Sequence, residues 1–207
     1  MALLNRRAAG HLILCTIIIG FIHAAGASEM TEPIEQLDAG MLQVMKAGKA
    51  APFQQRYDLL APLVIRAFDL DFILQSAVGV AWGSLPADQQ AALKIAFQRY
   101  SVATYVANFD DFSGEHFDLS PPVSGGDTVV RVRIVPGSSG GDVHTLGYVM
   151  QQTAGKWKAV DVIADGFISQ GTVQKAEIRA VLALSGAAGL LARLRQTVEE
   201  ISSGTLH

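Results

Sequence analysis

The chain has 207 residues, half of them hydrophobic, with 16 basic against 19 acidic side chains and a single cysteine. A net charge of −3 gives no basic face for nucleic acid, and that class is set aside. The lone Cys15 excludes an intrachain disulfide and a thiolate metal cluster.

The first element is a leader. Arg6 and Arg7 form a short positive region, residues 11–22 are almost wholly apolar, and Ala25 and Ala27 offer a small-residue cleavage site. The apolar stretch is shorter than the ~20 residues that span a bilayer. Cleavage after Ala27 removes Cys15 and leaves residues 28–207 as one domain carrying 14 basic and 19 acidic residues, a net charge of −5. The expected product is an exported protein without cysteine.

Residues 28–112 read as mainly helical. Thr31 caps a first helix with Pro33 in its opening turn, and Ile34, Leu37, Met41, Leu42 and Met45 recur at helical spacing until Gly48. Pro52 opens a second helix, with Pro62 a kink or break. Asp69 or Asp71 caps a short third helix that stops near Gly79. Ser84 or Leu85 caps a fourth helix with Pro86 in its first turn, which runs to about Phe109, its apolar face formed by Leu93, Phe97, Tyr100, Thr104 and Ala107.

Residues 113–168 switch to alternation and predict an antiparallel sheet. An edge strand over 115–119 ends at Pro121 and Pro122, and Gly125 to Asp127 make a turn. Strands over 128–135, 143–152 and 157–163 follow, with a hairpin turn at Ala154 and Gly155 and another turn at Asp165 and Gly166. Alternation puts Val130, Val132, Ile134, Leu146, Tyr148, Met150, Val160 and Val162 on one face, and Arg131, Arg133, Thr145 and Asp161 on the other. Arg131 and Arg133 read as a solvated face, with Asp161 a candidate partner across strands. Closing helices over 169–203 break at Gly186. Helices, then an antiparallel meander, then helices give an α+β fold whose apolar sheet face needs helices or a ligand to cover it.

The order of landmarks carries a resemblance. Phe68-Asp69, Gly79-Val80-Ala81-Trp82, Leu85-Pro86-Ala87-Asp88-Gln89-Gln90, the run 157–162, Asp165-Gly166 and the glycines Gly186 and Gly189 before Leu190 and Leu194 stand in sequence. The chain resembles the periplasmic lipid-binding subunit of Mla-type phospholipid transport systems, the toluene-tolerance family, and within it the hopanoid-associated HpnM branch. The resemblance implies an NTF2-like curved antiparallel sheet with helices and a helical subdomain, enclosing an apolar cavity. It implies a monomeric periplasmic carrier of phospholipid or hopanoid that docks on membrane-bound transport components of ABC or RND type, with no cofactor and no metal. The family pattern departs at Ile178, where an aromatic is usual, and at Gln174 or Lys175, one of which stands in place of an arginine.

A carrier needs a surface as apolar as the bilayer its cargo leaves, since each buried methylene is worth about 0.8 kcal/mol. The candidate lining is Val130, Val132, Ile134, Leu146, Tyr148, Met150 and Val162 from the sheet, with Phe72, Leu93, Phe97 and Tyr105 from the helices. The rival reading is an NTF2-like periplasmic enzyme of isomerase or dehydratase type. Its acid–base candidates are His144, which shares the inward face with Leu146 and Tyr148, then His116, Asp161 and Asp165. Neither a Ser-His-Asp constellation nor a metal-ligand spacing is recognisable.

Overall fold

The computed structural model describes residues 22–120, 122, 128–138 and 141–206, with side chains described from residue 28 onward. The expected leader up to residue 21, Pro121 and the turn at 125–127 lie outside the described residues.

Helices α1 (Ile22–Ala47), α2 (Phe53–Ala67), α3 (Leu70–Val78) and α4 (Ala87–Asn108) precede the sheet, with a 3-10 turn at Gly79–Ser84 between α3 and α4. Strands β1 (His116–Ser120), β2 (Val129–Val135), β3 (His144–Thr153), β4 (Lys156–Ala164) and β5 (Ile168–Ser169) follow, and α5 (Gln170–Ile201) closes the chain. The strands lie in sequence order as an antiparallel meander. The architecture is α+β: a mixed set of helices packed on an open five-stranded antiparallel sheet.

Two proline expectations are corrected. Thr31 and Pro33 lie inside α1 rather than at its start, and Thr31 Oγ1 sits 2.7 Å from Glu35 Oε1 within the helix. Helix α2 runs through Pro62 without ending. Pro62 and Asp58, whose carbonyl loses its helical donor, both lie on the exposed side, where water can take that bond, while Leu60, Val64 and Ala67 hold the opposite side in the core. Pro52 and Gly48 punctuate the chain where expected: Gly48 adopts φ +58 and its N–H bonds the Val44 carbonyl at 3.0 Å.

Register explains the rest. β2 and β3 pair Val130 with Tyr148 and Val132 with Leu146, which puts these four on one inner face. Between β3 and β4 the register shifts: Val149 pairs with Asp161 but Met150 pairs with Ala159, so Val160 is the extra residue of a β-bulge. The bulge overturns simple alternation in β4. Ala159 and Val162 face inward opposite Met150 and Tyr148, with the unpaired Val160 between them. The Asp161 carboxylate accepts from Ser169 and Gly171 at the start of the closing helix. Arg133 instead faces Asp118 at 3.9 Å on the exposed side.

The bulge is also where the helices attach. The Asp69 N–H donates to the Ala159 carbonyl at 3.0 Å, and Phe68 bridges to Ala159. Asp69 caps α3 by accepting from the Phe72 N–H at 3.0 Å, while its other oxygen accepts from the Thr153 hydroxyl at 2.7 Å. Lys158 closes the joint, donating to the carbonyls of Ile65 and Phe68. The Phe68-Asp69 pair is thus the seam between the helical half and the sheet.

Two main hydrophobic clusters result. One packs α1, α2 and α4 on the inner sheet face, with Ile34, Leu37, Met41, Leu60, Val64, Val102, Val130, Val132, Tyr148 and Met150 buried. The other joins α3, α4 and α5 through Leu74, Leu93, Phe97, Ile178, Leu190 and Leu194. Between them the packing is incomplete.

Candidate functional site: a cavity between the sheet and helices α3 to α5

The gap between the clusters is a cavity of about 530 Å³. Its sheet wall is Leu146, Val160, Val162 and Ala164, and Leu146 and Ala164 are cross-strand partners. Phe97, Ser101, Thr104 and Tyr105 contribute from α4, Leu70 and Ile73 from α3, and Val173, Gln174 and Glu177 from α5. Asn108, Gln170, Val173 and Glu177 are exposed and form the rim; Phe68 and Phe97 are buried and form the floor. The inside is apolar and aromatic, and the polar groups gather at the mouth. This is the distribution an amphiphile needs.

The floor is held by a chain of rings. Phe68 lies 5.5 Å from Tyr105 and 6.0 Å from Tyr148, centroid to centroid, and Tyr105 stacks on Phe109 at 5.9 Å. Phe109 in turn meets Phe117 of β1 at 6.3 Å. Because Phe68 is fixed by its bridge to the β4 bulge, the ring chain is positioned by backbone hydrogen bonds as well as by packing.

The mouth is organised by Asp161. Its carboxylate accepts from the Val162 N–H at 2.7 Å, the Gly171 N–H at 2.9 Å and the Ser169 hydroxyl at 2.6 Å. Ser169 is also the N-cap of α5, accepting from the Thr172 N–H at 3.0 Å. A carboxylate at this end meets the positive pole of the helix. A Cβ on Gly171 would lie 2.7 Å from Asp161 Oδ1, so only glycine lets the helix start this close.

Of the eleven residues expected to line a cavity, Phe97, Tyr105, Leu146 and Val162 border this one. Val130, Val132, Tyr148 and Met150 lie on the expected face, but α1, α2 and α4 cover them and they are packed core. Leu93 is buried in the second cluster. Ile134 is half-buried towards the β1 side of the sheet, and Phe72 points outward at 43 % exposure. The apolar sheet face is therefore mostly filled by protein, and the hollow is confined to its β3–β4 end. Ile178 packs with Leu74 and Phe97 in the second cluster, and Gln174 lines the cavity wall.

The acid–base candidates lie elsewhere. The His144 ring faces Asp165 at 3.2 Å, with the two side chains 62 % and 54 % exposed. The Thr145 N–H and then His144 hold the Asp165 carboxyl below its ordinary range. His116 faces Asp118 on the open side of the sheet. His144, His116 and Asp165 do not border the cavity. Asp161 does, with its oxygens already engaged. Among the described residues, no three His, Cys, Asp or Glu side chains gather as metal ligands.

Sequence reading missed Asp38. It sits on the apolar stripe of α1, one turn from Ile34 and from Met41, and it is buried with Oδ1 lacking a hydrogen-bond partner. Burial first, and then the nearby Glu35 carboxylate, push its carboxyl up to about 8. Tyr105 and Tyr148 are its electrostatic neighbours, and burial raises both phenols. A buried polar atom left unpaired costs about 1–3 kcal/mol. The readable signal was a carboxylate standing within a stripe of aliphatic residues.

A second groove, of about 560 Å³, lies between α4 and the C-terminal limb of α5, lined by Ile95, Arg99, Arg195, Val198 and Leu206 among others. Among the described residues, no strand borders it. Among the described residues, no helix is long and apolar enough to cross a membrane.

No curated protein matches the chain. Among solved structures, a phospholipid-binding protein from Ralstonia solanacearum, determined in complex with a phospholipid, is similar with a TM-score of 0.66 at 18 % identity, over 85 % of this chain and 98 % of that one. At that identity the likeness shows the fold. The family model described as MlaC protein matches residues 35–196, from α1 through the sheet into the second limb of α5, and the chain belongs to the MlaC family.

Proposed function

We propose that the chain is a lipid-binding carrier, exported by cleavage of its first 27 residues and working in the periplasm. The observation that carries this reading is the cavity, with its aromatic floor, its apolar walls and its polar rim. Membership in the MlaC family and the phospholipid held by the Ralstonia solanacearum protein support a lipid as its cargo. The cargo is a phospholipid or a hopanoid, taken from one membrane and delivered to another by docking of the monomer on membrane-bound transport components of ABC or RND type. The hopanoid alternative follows from the resemblance to the HpnM branch.

Size sets the mode of binding. A methylene fills roughly the ~30 Å³ that a water molecule occupies in the liquid. The cavity of about 530 Å³ then holds one long acyl chain. A two-chain lipid is accommodated by spreading α5 from α4 or by leaving part of a chain at the rim. Transfer between bilayer and cavity exchanges one apolar surface for another, so the carrier needs no chemistry of its own.

Solvent extraction of the purified protein followed by mass spectrometry tests the proposal. Co-extracted phospholipid or hopanoid, near one per chain, is the expected result and names the cargo. An extract without lipid, from protein expressed in a host that makes both, would overturn it.

A further inference from the structure

Apolar side chains left in water stand at the end of the sheet that opens the cavity. Phe167 is 93 % exposed, and Ile168, Val173 and Val143 are exposed with it. Register joins this end to the cavity. Leu146 pairs with Ala164 across β3 and β4, and Ala164 pairs with Ile168 across β4 and β5. Directly opposed residues of neighbouring strands share a face, so the three form one row. Leu146 and Ala164 line the cavity, and Ile168 carries the row out to the edge strand of the sheet. Val173 adds an apolar group on the α5 side of the rim.

The turn that carries Phe167 is pinned. Asp165 and Gly166 both take positive φ, +49 and +77, as the two central residues of a tight hairpin turn do, and the Phe167 N–H closes it on the Ala164 carbonyl at 3.2 Å. Asp165 ties the turn to β3. Its N–H donates to the Thr145 carbonyl and its Oδ1 accepts from the Thr145 N–H, both at 2.8 Å, while Oδ2 meets the His144 ring at 3.2 Å. The Phe167 ring is thereby presented to solvent from a rigid mount. Clustered apolar side chains beside a polar-rimmed opening mark a contact site. The cluster is small: a stable protein complex buries ~800 Å² and ~20–30 residues a side, and four side chains fall short of that. An aromatic ring and an isoleucine seated at the acyl boundary of a bilayer need no more area than this. Asp142, Asp165, Lys175 and Glu177 flank these positions in the chain, with His144 on Asp165, so there is no cationic excess to select an anionic surface.

We propose that the Phe167 turn is where the protein touches a lipid surface: Phe167 and Ile168 enter the headgroup–acyl boundary of a zwitterionic bilayer and bring the cavity mouth against it. This rests on the carrier reading and adds the bilayer itself as a partner. An acyl chain that leaves the bilayer along Ile168, Ala164 and Leu146 stays on apolar surface throughout, and its methylenes do not have to cross water on the way to the cavity. The hairpin bonds set the ring in place before contact, so insertion orders no loop.

The test uses the whole purified protein and sucrose-loaded phosphatidylcholine vesicles, sedimented after mixing. Phe167→Ser is expected to weaken binding roughly tenfold, the change set by keeping a phenylalanine side chain out of an apolar layer. It is expected to leave the lipid that co-purifies with the protein unchanged, since Phe167 does not line the cavity. Phe167→Trp is expected to bind as the wild type does and to be quenched by phosphatidylcholine brominated near the head of its acyl chains, beyond any quenching of Trp82 and Trp157 in the wild type. Wild-type protein that stays in the supernatant assigns the patch to a protein partner and overturns the inference. Equal binding of wild type and Phe167→Ser, or an unquenched tryptophan at 167, overturns it too. These failures leave the carrier reading standing as long as lipid co-purifies; purified wild type without lipid overturns that reading, and this inference with it.

Discussion

Asp38 makes the protein's stability depend on pH in an unusual direction. A carboxyl raised from 3.8 to about 8 by burial keeps its proton in the folded chain while the unfolded chain releases it. Between those values the unfolded state binds fewer protons, so stability falls as pH rises, by up to about 1.4 kcal/mol per pH unit from this group, and levels off above pH 8. Asp38→Asn removes that slope. Denaturant melts of the two proteins from pH 4 to pH 8 are expected to diverge steadily, the variant gaining about 3–5 kcal/mol over wild type at the upper end. Parallel curves would show that Asp38 is ionised in the fold. Arg56 is the opposite case, a buried cation with its bonds made: it donates to the Ala51 and Val106 carbonyls, both at 3.3 Å, and lies over the Phe53 ring at 5.3 Å. Arg56→Ala frees the α2–α4 contact and is expected to cost about 2–4 kcal/mol in the same melts, with little recovery in Arg56→Lys, because a lysine cannot reach two carbonyls in a planar fork.

Single elements show what the sequence made legible. Helical spacing identifies α1 to α4, Asp69 is the expected cap of α3, and alternation identifies β2 and β3, because in those elements local preference and burial agree, whereas the caps expected at Thr31 and at Ser84 or Leu85 give way to an earlier start of α1 and to Pro86 before α4. Three features escaped. Pro33 and Pro62 read as boundaries, yet helical packing on the far side of each carries the helix through. The β4 bulge leaves no mark in composition, and neither does the bond by which Asp161 anchors the start of α5. The filling of the sheet face by α1, α2 and α4 could not be seen either, since Val130 on a cavity wall and Val130 in a core obey one pattern. Gly186 was read correctly as a break: it takes φ +65 and ψ −168 inside α5, a conformation open essentially to glycine alone. The bend lets Ile178 serve the α3 side and Leu194 the α4 side. Gly186→Ala is expected to lower stability by about 1–3 kcal/mol although no atom stands within 4 Å of the new methyl, a purely backbone effect. Asp161→Ala is expected to speed amide exchange over residues 170–173, where the N-terminus of α5 loses its acceptor, and to leave exchange in β2 unchanged.

For the molecule as a whole, the arrangement is a filled core beside an unfilled one. Helices α1 and α2 seal most of the sheet, and the bulge, the Phe68-Asp69 seam and the Asp161 anchor hold the β3–β4 end open beneath α4 and α5. If that hollow holds the cargo, closing it must remove the cargo without harming the fold. Val162 is the position for this: it lines the cavity from a strand, where a tryptophan is well tolerated, and its strand neighbour Tyr148 already anchors the core. Native mass spectrometry of the intact protein beside Val162→Trp is the most direct measurement. The account predicts a wild-type population shifted by the mass of one lipid, a variant found mostly at its bare mass, and circular dichroism that is the same for both. Wild type and variant carrying equal amounts of lipid would contradict it.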